Sequence, residues 1–230
     1  MKKHTVFTEL AYIIGIICIA LSIAMIQKTG FGLSMIAAPA YRIHTIITPL
    51  WSGFTFGMAE YVFQGILIII MSLILHRFRI GFLFSFITAV IHGLTLDGFI
   101  YLLKDVPVDT LWMKILFFAV GVIICAAGVA MMFKTYLSPE AYELFVKEVS
   151  AKYKLNIHKF KTVFDFSCLA LALILSLISR KWDGIGIGTI ICAVLNGFLI
   201  SRFSALYAKF FTFRDGLPLR KYFTDAEGEK

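Results

Sequence analysis

Six apolar stretches, each about 20 residues long, divide the chain, and most charged residues stand between them. A stretch of this length forms a helix that crosses about 30 Å of hydrocarbon, and it is too long for a strand of a membrane barrel. The pattern therefore predicts an all-α, polytopic membrane protein. The predicted spans cover residues 6–27, 54–75, 80–103, 111–133, 162–179 and 185–207.

The composition excludes a soluble domain. Of the 230 residues, 60% are hydrophobic, and the mean hydropathy is +0.87, whereas soluble proteins contain about 45–50% apolar residues. The lipid bilayer is therefore a predicted partner. The net charge of +8 does not indicate a nucleic-acid partner, because the basic residues lie between and after the spans, where they determine topology.

The lysines and arginines are unevenly distributed between alternate connections. One side carries 15 of them and the other side 6, with Arg202 left out because it lies within the last span. Cytoplasmic loops are enriched in these residues. Both termini are therefore predicted to be cytoplasmic.

The sequence contains an internal repeat of its apolar pattern. Residues 15–29 and 121–135 are identical at seven of fifteen positions, and residues 89–93 resemble 193–197 near the end of each unit. Three spans per copy is an odd number, so the second copy enters the membrane upside down, as in inverted-repeat transporters. The predicted units are repeat one at 1–107, repeat two at 108–212, and a basic cytoplasmic tail at 213–230.

The connections after the first and fourth spans are longer than simple turns. Ser138, Pro139 and Glu140 are typical of a helix start, and residues 139–153 place apolar side chains at i+4 spacing. We expect an amphipathic helix on the cytoplasmic surface, with a more apolar counterpart near 33–45. Two i,i+4 ion pairs support it, Glu143/Lys147 and Glu148/Lys152.

Short glycine-containing motifs carry a family resemblance. The first span ends in Lys28-Thr29-Gly30-Phe31-Gly32-Leu33-Ser34, and Gly186-Ile187-Gly188-Thr189 opens the last span, followed by Gly197. With these motifs the chain resembles the YczE/YyaS/YitT-like bacterial multi-pass membrane proteins. The resemblance implies a bacterial inner (plasma) membrane location and a duplicated core, in a group whose activity is poorly defined. The second copy departs from the pattern, because Tyr136-Leu137-Ser138-Pro139 replaces the glycine turn.

Two carboxylates lie inside spans, where a charge is costly and is seldom left facing lipid. Glu60 and Asp165 occupy corresponding places in spans two and five. Either they bind protons or cations, or they are helix-end carboxylates paired with local cations. Lys161, one turn before Asp165, favours the second interpretation for that residue.

A weakly polar stripe follows one face of span three. Ser85, Thr88 and His92 share this face, and Thr189 and Asn196 stand at the matching positions of span six. A histidine near the bilayer centre is a candidate proton or substrate ligand, or it forms an interhelical hydrogen bond. Asp97 lies about 140° around the helix from His92 and is a secondary candidate, like Asp165.

The sequence contains no catalytic motif, metal-ligand spacing or cofactor fingerprint, so neither enzyme activity nor a cofactor is predicted. We expect a small secondary transporter or exporter of a low-molecular-weight solute. The alternative is a membrane accessory protein that binds a cytoplasmic protein partner through residues 139–161 and the basic tail. The sequence makes no prediction of the solute or of the oligomeric state.

Overall fold

The computed structural model describes residues 4–218, apart from the side chain of His158. Eight helices and two short strands follow one another along this part of the chain. In order they are β1 His4–Phe7, α1 Thr8–Thr29, α2 Ala38–Ile47, α3 Phe56–Leu75, α4 Ile80–Leu103, α5 Leu111–Met132, α6 Ala141–Lys152, α7 Ile157–Ser179, α8 Ile187–Phe210 and β2 Phe211–Arg214.

Six of these helices, α1, α3, α4, α5, α7 and α8, are long and apolar enough to cross a membrane. They coincide with the six predicted spans, and α7 starts five residues earlier than expected. The prediction of an all-α, polytopic membrane protein is therefore confirmed.

Local capping sets the helix boundaries. Thr55 and Thr110 accept hydrogen bonds from backbone N–H groups in the first turns of α3 and α5, and Asn156 Oδ1 accepts from the N–H of Lys159 at the start of α7. Such side chains satisfy donors that a helix start leaves open. Gly30, at φ 72°, ends α1 in the left-handed conformation that glycine adopts readily.

The two strands join the ends of the chain. β1 pairs with β2 in parallel, with His4 opposite Phe211. This end of the bundle is here termed the terminal end, and the end where α1 stops is the distal end. Residues 213 and 214 of the predicted tail belong to β2, and residues 219–230 of that tail lie outside the described residues.

The centre of the bundle is the crossing of α1 and α5, which depends on small residues. A Cβ on Gly15 would lie 3.1 Å from Gly128 O, and a Cβ on Gly121 would lie 3.3 Å from Ser22 O. Small side chains at these four positions let the two backbones approach closely, as is common between membrane helices.

The other helices surround this pair. α4 packs on α1 and α3, α8 packs on α5, and α2 packs on α3 and α7. α3 and α4 meet at Gly57 and Gly93, where a Cβ on Gly93 would lie 2.5 Å from Gly57 O. α7 and α8, by contrast, are not closely packed against each other.

The predicted surface helix at 139–153 corresponds to α6, but its surface position is not confirmed. α6 packs against α3, α4 and α7, and eight of its twelve residues are buried. Its acidic residue Glu148 meets partners in the connection between α3 and α4, lying 3.6 Å from Arg79 and 3.7 Å from Arg77. Glu148 therefore reaches across to the end of α3, and Lys152 donates to the carbonyl of Ile74 at 2.7 Å.

Candidate functional site

The segment before α6 enters the bundle from the terminal end and is held there by α4. Ser85 Oγ donates to the carbonyl of Pro139 at 2.5 Å, and Thr88 Oγ1 donates to the carbonyl of Ser138 at 3.1 Å. Tyr12 on α1 shares a 2.5 Å hydrogen bond with the Thr88 hydroxyl. Because buried carbonyls need partners, these bonds fix the start of α6 inside the bundle.

Five buried side chains meet where α6 begins and form what is here termed the polar cluster: Glu60, Gln64, His92, Glu140 and Tyr142. Gln64 Nε2 donates to Glu140 Oε2 at 3.2 Å, while Gln64 Oε1 accepts from the N–H of Ala141 at 3.0 Å. The Tyr142 hydroxyl donates to Glu60 Oε2 at 2.8 Å. α6 is therefore docked onto α3 by reciprocal hydrogen bonds near the middle of that helix.

Several atoms of the polar cluster have no hydrogen-bond partner among the side chains and backbone that the structure describes. His92 Nδ1 lies 3.7 Å from Glu140 Oε1, which is too far for a hydrogen bond. The other unpartnered atoms are His92 Nε2 and Glu60 Oε1. Leaving such a group unpaired costs about 1–3 kcal/mol. The cluster can therefore accept a proton, or a cation that the chain itself does not supply.

Carboxylates outnumber cations around the start of α6. Lys161 on α7 lies 2.9 Å from Asp165 and 3.9 Å from Glu143, whereas Glu60 and Glu140 make no ion pair with a lysine or arginine within residues 4–218. Burial raises the pKa of Glu140 from 4.5 to about 7, although the hydrogen bond from Gln64 and the charge of Lys161 lower it. Burial likewise raises the pKa of Glu143 to about 6. Desolvation in this region therefore favours the protonated form of both carboxyl groups.

Four of the predicted site residues come together here. Glu60 and His92 belong to the polar cluster, and Ser85 and Thr88 hold the segment that carries Glu140. The helical spacing in α4 placed Ser85, Thr88 and His92 on one face, and that face contacts the start of α6.

Thr189 and Asn196, predicted to share a site with His92, do not join the cluster. Thr189 Oγ1 accepts from the N–H of Gly186 at 3.3 Å, at the distal start of α8. Asn196 is half-buried on α8, a helix that is not closely packed against α4. The α1–α5 pair lies between the two halves, and it separates the polar stripes of α4 and α8.

The two secondary candidates have local partners. Asp97 Oδ2 accepts from Thr55 Oγ1 at 2.6 Å, and Asp97 Oδ1 accepts from the N–H of Gly57 at 2.8 Å. This carboxylate therefore caps the start of α3. Asp165 pairs with Lys161 at i,i+4 spacing. This agrees with the interpretation of Asp165 as a carboxylate paired with a local cation.

The sequence did not identify Glu140 and Tyr142 as site residues. Glu140 follows Ser138-Pro139, a typical helix start, and an acidic residue there is ordinary on a surface helix. The residue that could have indicated them is Gln64, four residues after Glu60 on a buried face of α3. A buried amide at that depth requires polar partners, and these must come from another element.

Two cavities lie away from the polar cluster. One, of about 420 Å³, is at the distal end beside Lys28, and the other, of about 490 Å³, is at the terminal end of α3 beside Arg77. The cluster itself is closed, since each of the five residues that define it is at most 7% exposed. In the described part of the chain, no three His, Cys, Asp or Glu residues are grouped to hold a metal ion.

Comparison with known families places nearly the whole chain in one of them. Residues 6–205 match the model described as a family of unknown function, DUF6198. No curated protein and no solved structure matches the chain. This match does not specifically support the resemblance to the YczE/YyaS/YitT-like proteins.

Proposed function

Since the chain belongs to DUF6198, a family of unknown function, its activity is inferred from its residues: we propose that it is a small secondary transporter or exporter of a low-molecular-weight solute. It works in the bacterial inner membrane with both termini in the cytoplasm. Its six spans form two inverted three-helix repeats, and its coupling site is the polar cluster at the start of α6.

The α1–α5 crossing supports the inverted repeat. The repeated first spans differ by 106 in residue number, so Gly15 corresponds to Gly121 and Ser22 to Gly128. Under this correspondence, the close approach of Gly15 to Gly128 is equivalent to the approach of Gly121 to Ser22, and both approaches are present. A two-fold axis between α1 and α5 produces this pairing.

Several of the other packing relationships follow the same exchange. The α1–α4 contact corresponds to α5–α8, and the α2–α7 contact corresponds to α6–α3. Two contacts lack an equivalent: α7 and α8, which correspond to α3 and α4, are not closely packed together, and neither are α2 and α8, which correspond to α6 and α4. The second repeat is thus looser, as expected if one repeat moves against the other.

Two ion pairs at opposite ends also correspond, with their charges reversed. Arg42 on α2 lies 3.9 Å from Asp183, and Glu148 on α6 lies 3.6 Å from Arg79. The offsets are 106 from Arg42 to Glu148 and 104 from Arg79 to Asp183. Each pair ties a short helix to the chain beyond a span, and such ties can open alternately on the two sides.

The observation that carries the proposal is the closed polar cluster, in which His92, at the middle of α4, and the carboxylates of Glu60 and Glu140 have unpartnered atoms. Intramembrane ionisable residues mark substrate and ion pathways, and short or broken helices ending near the midplane are typical of transporter sites. Glu140 ends such a segment and is the leading proton carrier. Glu60 and His92 complete the site, while Thr189 and Asn196 are not part of it.

The burial of α6 favours transport over the accessory role. Docking through residues 139–161 requires an exposed helix, but most of α6 faces other helices. Residues 153–156, between α6 and α7, form only a short exposed connection.

The test is proton movement in proteoliposomes that contain a pH-sensitive dye and the purified full chain. We expect at least one solute from a chemically diverse panel to drive proton flux. Glu140→Gln, Glu60→Gln and His92→Ala should each reduce that flux at least tenfold. Asp105→Asn, at an 87% exposed side chain, is the matched control and should retain it. Flux that none of the three variants changes would overturn the site assignment.

A further inference from the structure

The cavity of about 420 Å³ at the distal end brings together three lysines from separate parts of the chain. Lys28 comes from the end of α1, Lys104 follows α4, and Lys114 lies in the first turn of α5. Only six lysines and arginines are assigned to this side of the protein by alternate connections. Half of them therefore line a single concavity.

Within residues 4–218, no acidic residue lines this cavity. Lys28 Nζ donates to the carbonyls of Leu103 and Lys104 at the end of α4, so its charge is held in place. Lys104 Nζ lies 4.2 Å from the centre of the Tyr101 ring, and 4.0 Å from the exposed carboxylate of Asp105. Gathering three like charges is unfavourable, unless an anion occupies the space between them.

We propose that this distal cavity binds a phosphate-class oxyanion, carried by an anionic lipid headgroup or free in solution. The first turn of α5 contributes to the same site, because a helix N-terminus favours negative charge. The cavity lies at the ends of the spans, at the level of lipid headgroups. Besides the three lysines, the lining is part polar, from Gln27, Thr29 and Gly30, and part apolar, from Ala24, Ile100 and Leu103. The apolar part gives contact of the kind that a lipid glycerol backbone requires.

The experiment uses the purified full chain in a non-ionic detergent. Native mass spectrometry measures retention of phosphatidylglycerol against phosphatidylcholine, and calorimetry measures binding of inorganic phosphate. Lys104→Gln/Lys114→Gln is the test variant, and Lys28→Gln is a second one. Arg180→Gln/Lys181→Gln, which removes two exposed charges at the same end, is the matched control.

We expect the test double variant to weaken binding about tenfold, at about threefold per exposed charge pair, and 0.5 M salt to weaken it similarly. Selective retention of phosphatidylglycerol identifies a lipid headgroup as the source, and phosphate binding in calorimetry identifies a free anion. Equal behaviour of test and control variants, or no binding in either assay, would overturn the proposal. This outcome is independent of the proton-flux experiment, so the two proposals fail separately.

Discussion

The Nδ1 atom of His92 on α4 lies 3.7 Å from Oε1 of Glu140, the residue that precedes α6. A shift of about 0.7 Å would turn this approach into a hydrogen bond. Protonation of either group strengthens the attraction, because it supplies a donor or a positive charge. The docking of α6 onto α4 is therefore linked to proton occupancy.

Glu140→Gln should flatten the pH dependence of stability. The folded pKa of Glu140, about 7, lies above the ordinary 4.5, so the folded state binds this proton more tightly. Stability is then fully present below pH 4.5 and is lost as the pH rises through 7. The loss is on the order of 3 kcal/mol. Thermal unfolding of detergent-solubilised protein between pH 5 and 8 measures it.

Glu143→Gln serves as the control for that measurement. It removes a group whose pKa is raised only to about 6, so the pH dependence between 6 and 8 should persist. If Glu140→Gln and the wild-type chain lose stability equally over this range, Glu140 is not the responsible group.

Gly93→Ala should destabilise the bundle by about 1–3 kcal/mol through overpacking. Its Cβ would lie 2.5 Å from Gly57 O, where α3 and α4 cross. Gly197 is the corresponding residue of the second repeat, and a Cβ there meets nothing within 4 Å. Gly197→Ala should be neutral or slightly stabilising. Melting temperatures measured side by side would contradict the packing if the two variants behaved alike.

A double-mutant cycle of Glu148→Gln with Arg79→Gln should give a coupling energy of about 1 kcal/mol. Glu148 is largely buried and the Arg79 side chain is 25% exposed, so solvent screens this pair only in part. The same cycle with Arg77, whose side chain is 47% exposed, should give a smaller value. Equal couplings in chemical unfolding would mean that burial does not strengthen the Arg79 pair.

Labelling of introduced cysteines tests the orientation of the chain. Trp51, between α2 and α3, is 57% exposed, and Tyr153, just after α6, is 52% exposed. In intact cells a membrane-impermeant maleimide should react with Trp51→Cys, and with Tyr153→Cys only after permeabilisation. The unaltered chain is the control, since its four cysteines lie within spans. The reverse pattern would place the termini outside.

The periodicity and length of the apolar stretches predicted the six long helices, because lipid imposes a single way of satisfying the backbone. The i, i+3, i+7 spacing placed Ser85, Thr88 and His92 on one face for the same local reason. Neither signal reports which element meets that face. The element that contacts this face is α6, a helix whose charged residues resemble those of a surface helix.

Glu148 shows that local sequence spacing does not predict partners from distant parts of the chain. Its i,i+4 spacing with Lys152 indicated a local pair, but the fold places Arg77 and Arg79 beside it from a connection about 70 residues earlier. Thr189 and Asn196 show the converse. Their positions match Ser85 and His92 in the repeated sequence pattern, yet they lie on α8, a helix that is not closely packed against α4.

The parallel pairing of His4–Phe7 with Phe211–Arg214 has a consequence for biosynthesis. The first strand emerges from the ribosome long before its partner exists, so its backbone donors and acceptors stay open until residues 211–214 have been translated. A chain that terminates prematurely, anywhere before Phe211, keeps that edge exposed. The β1–β2 pairing therefore forms only after all eight helices described here have been synthesised.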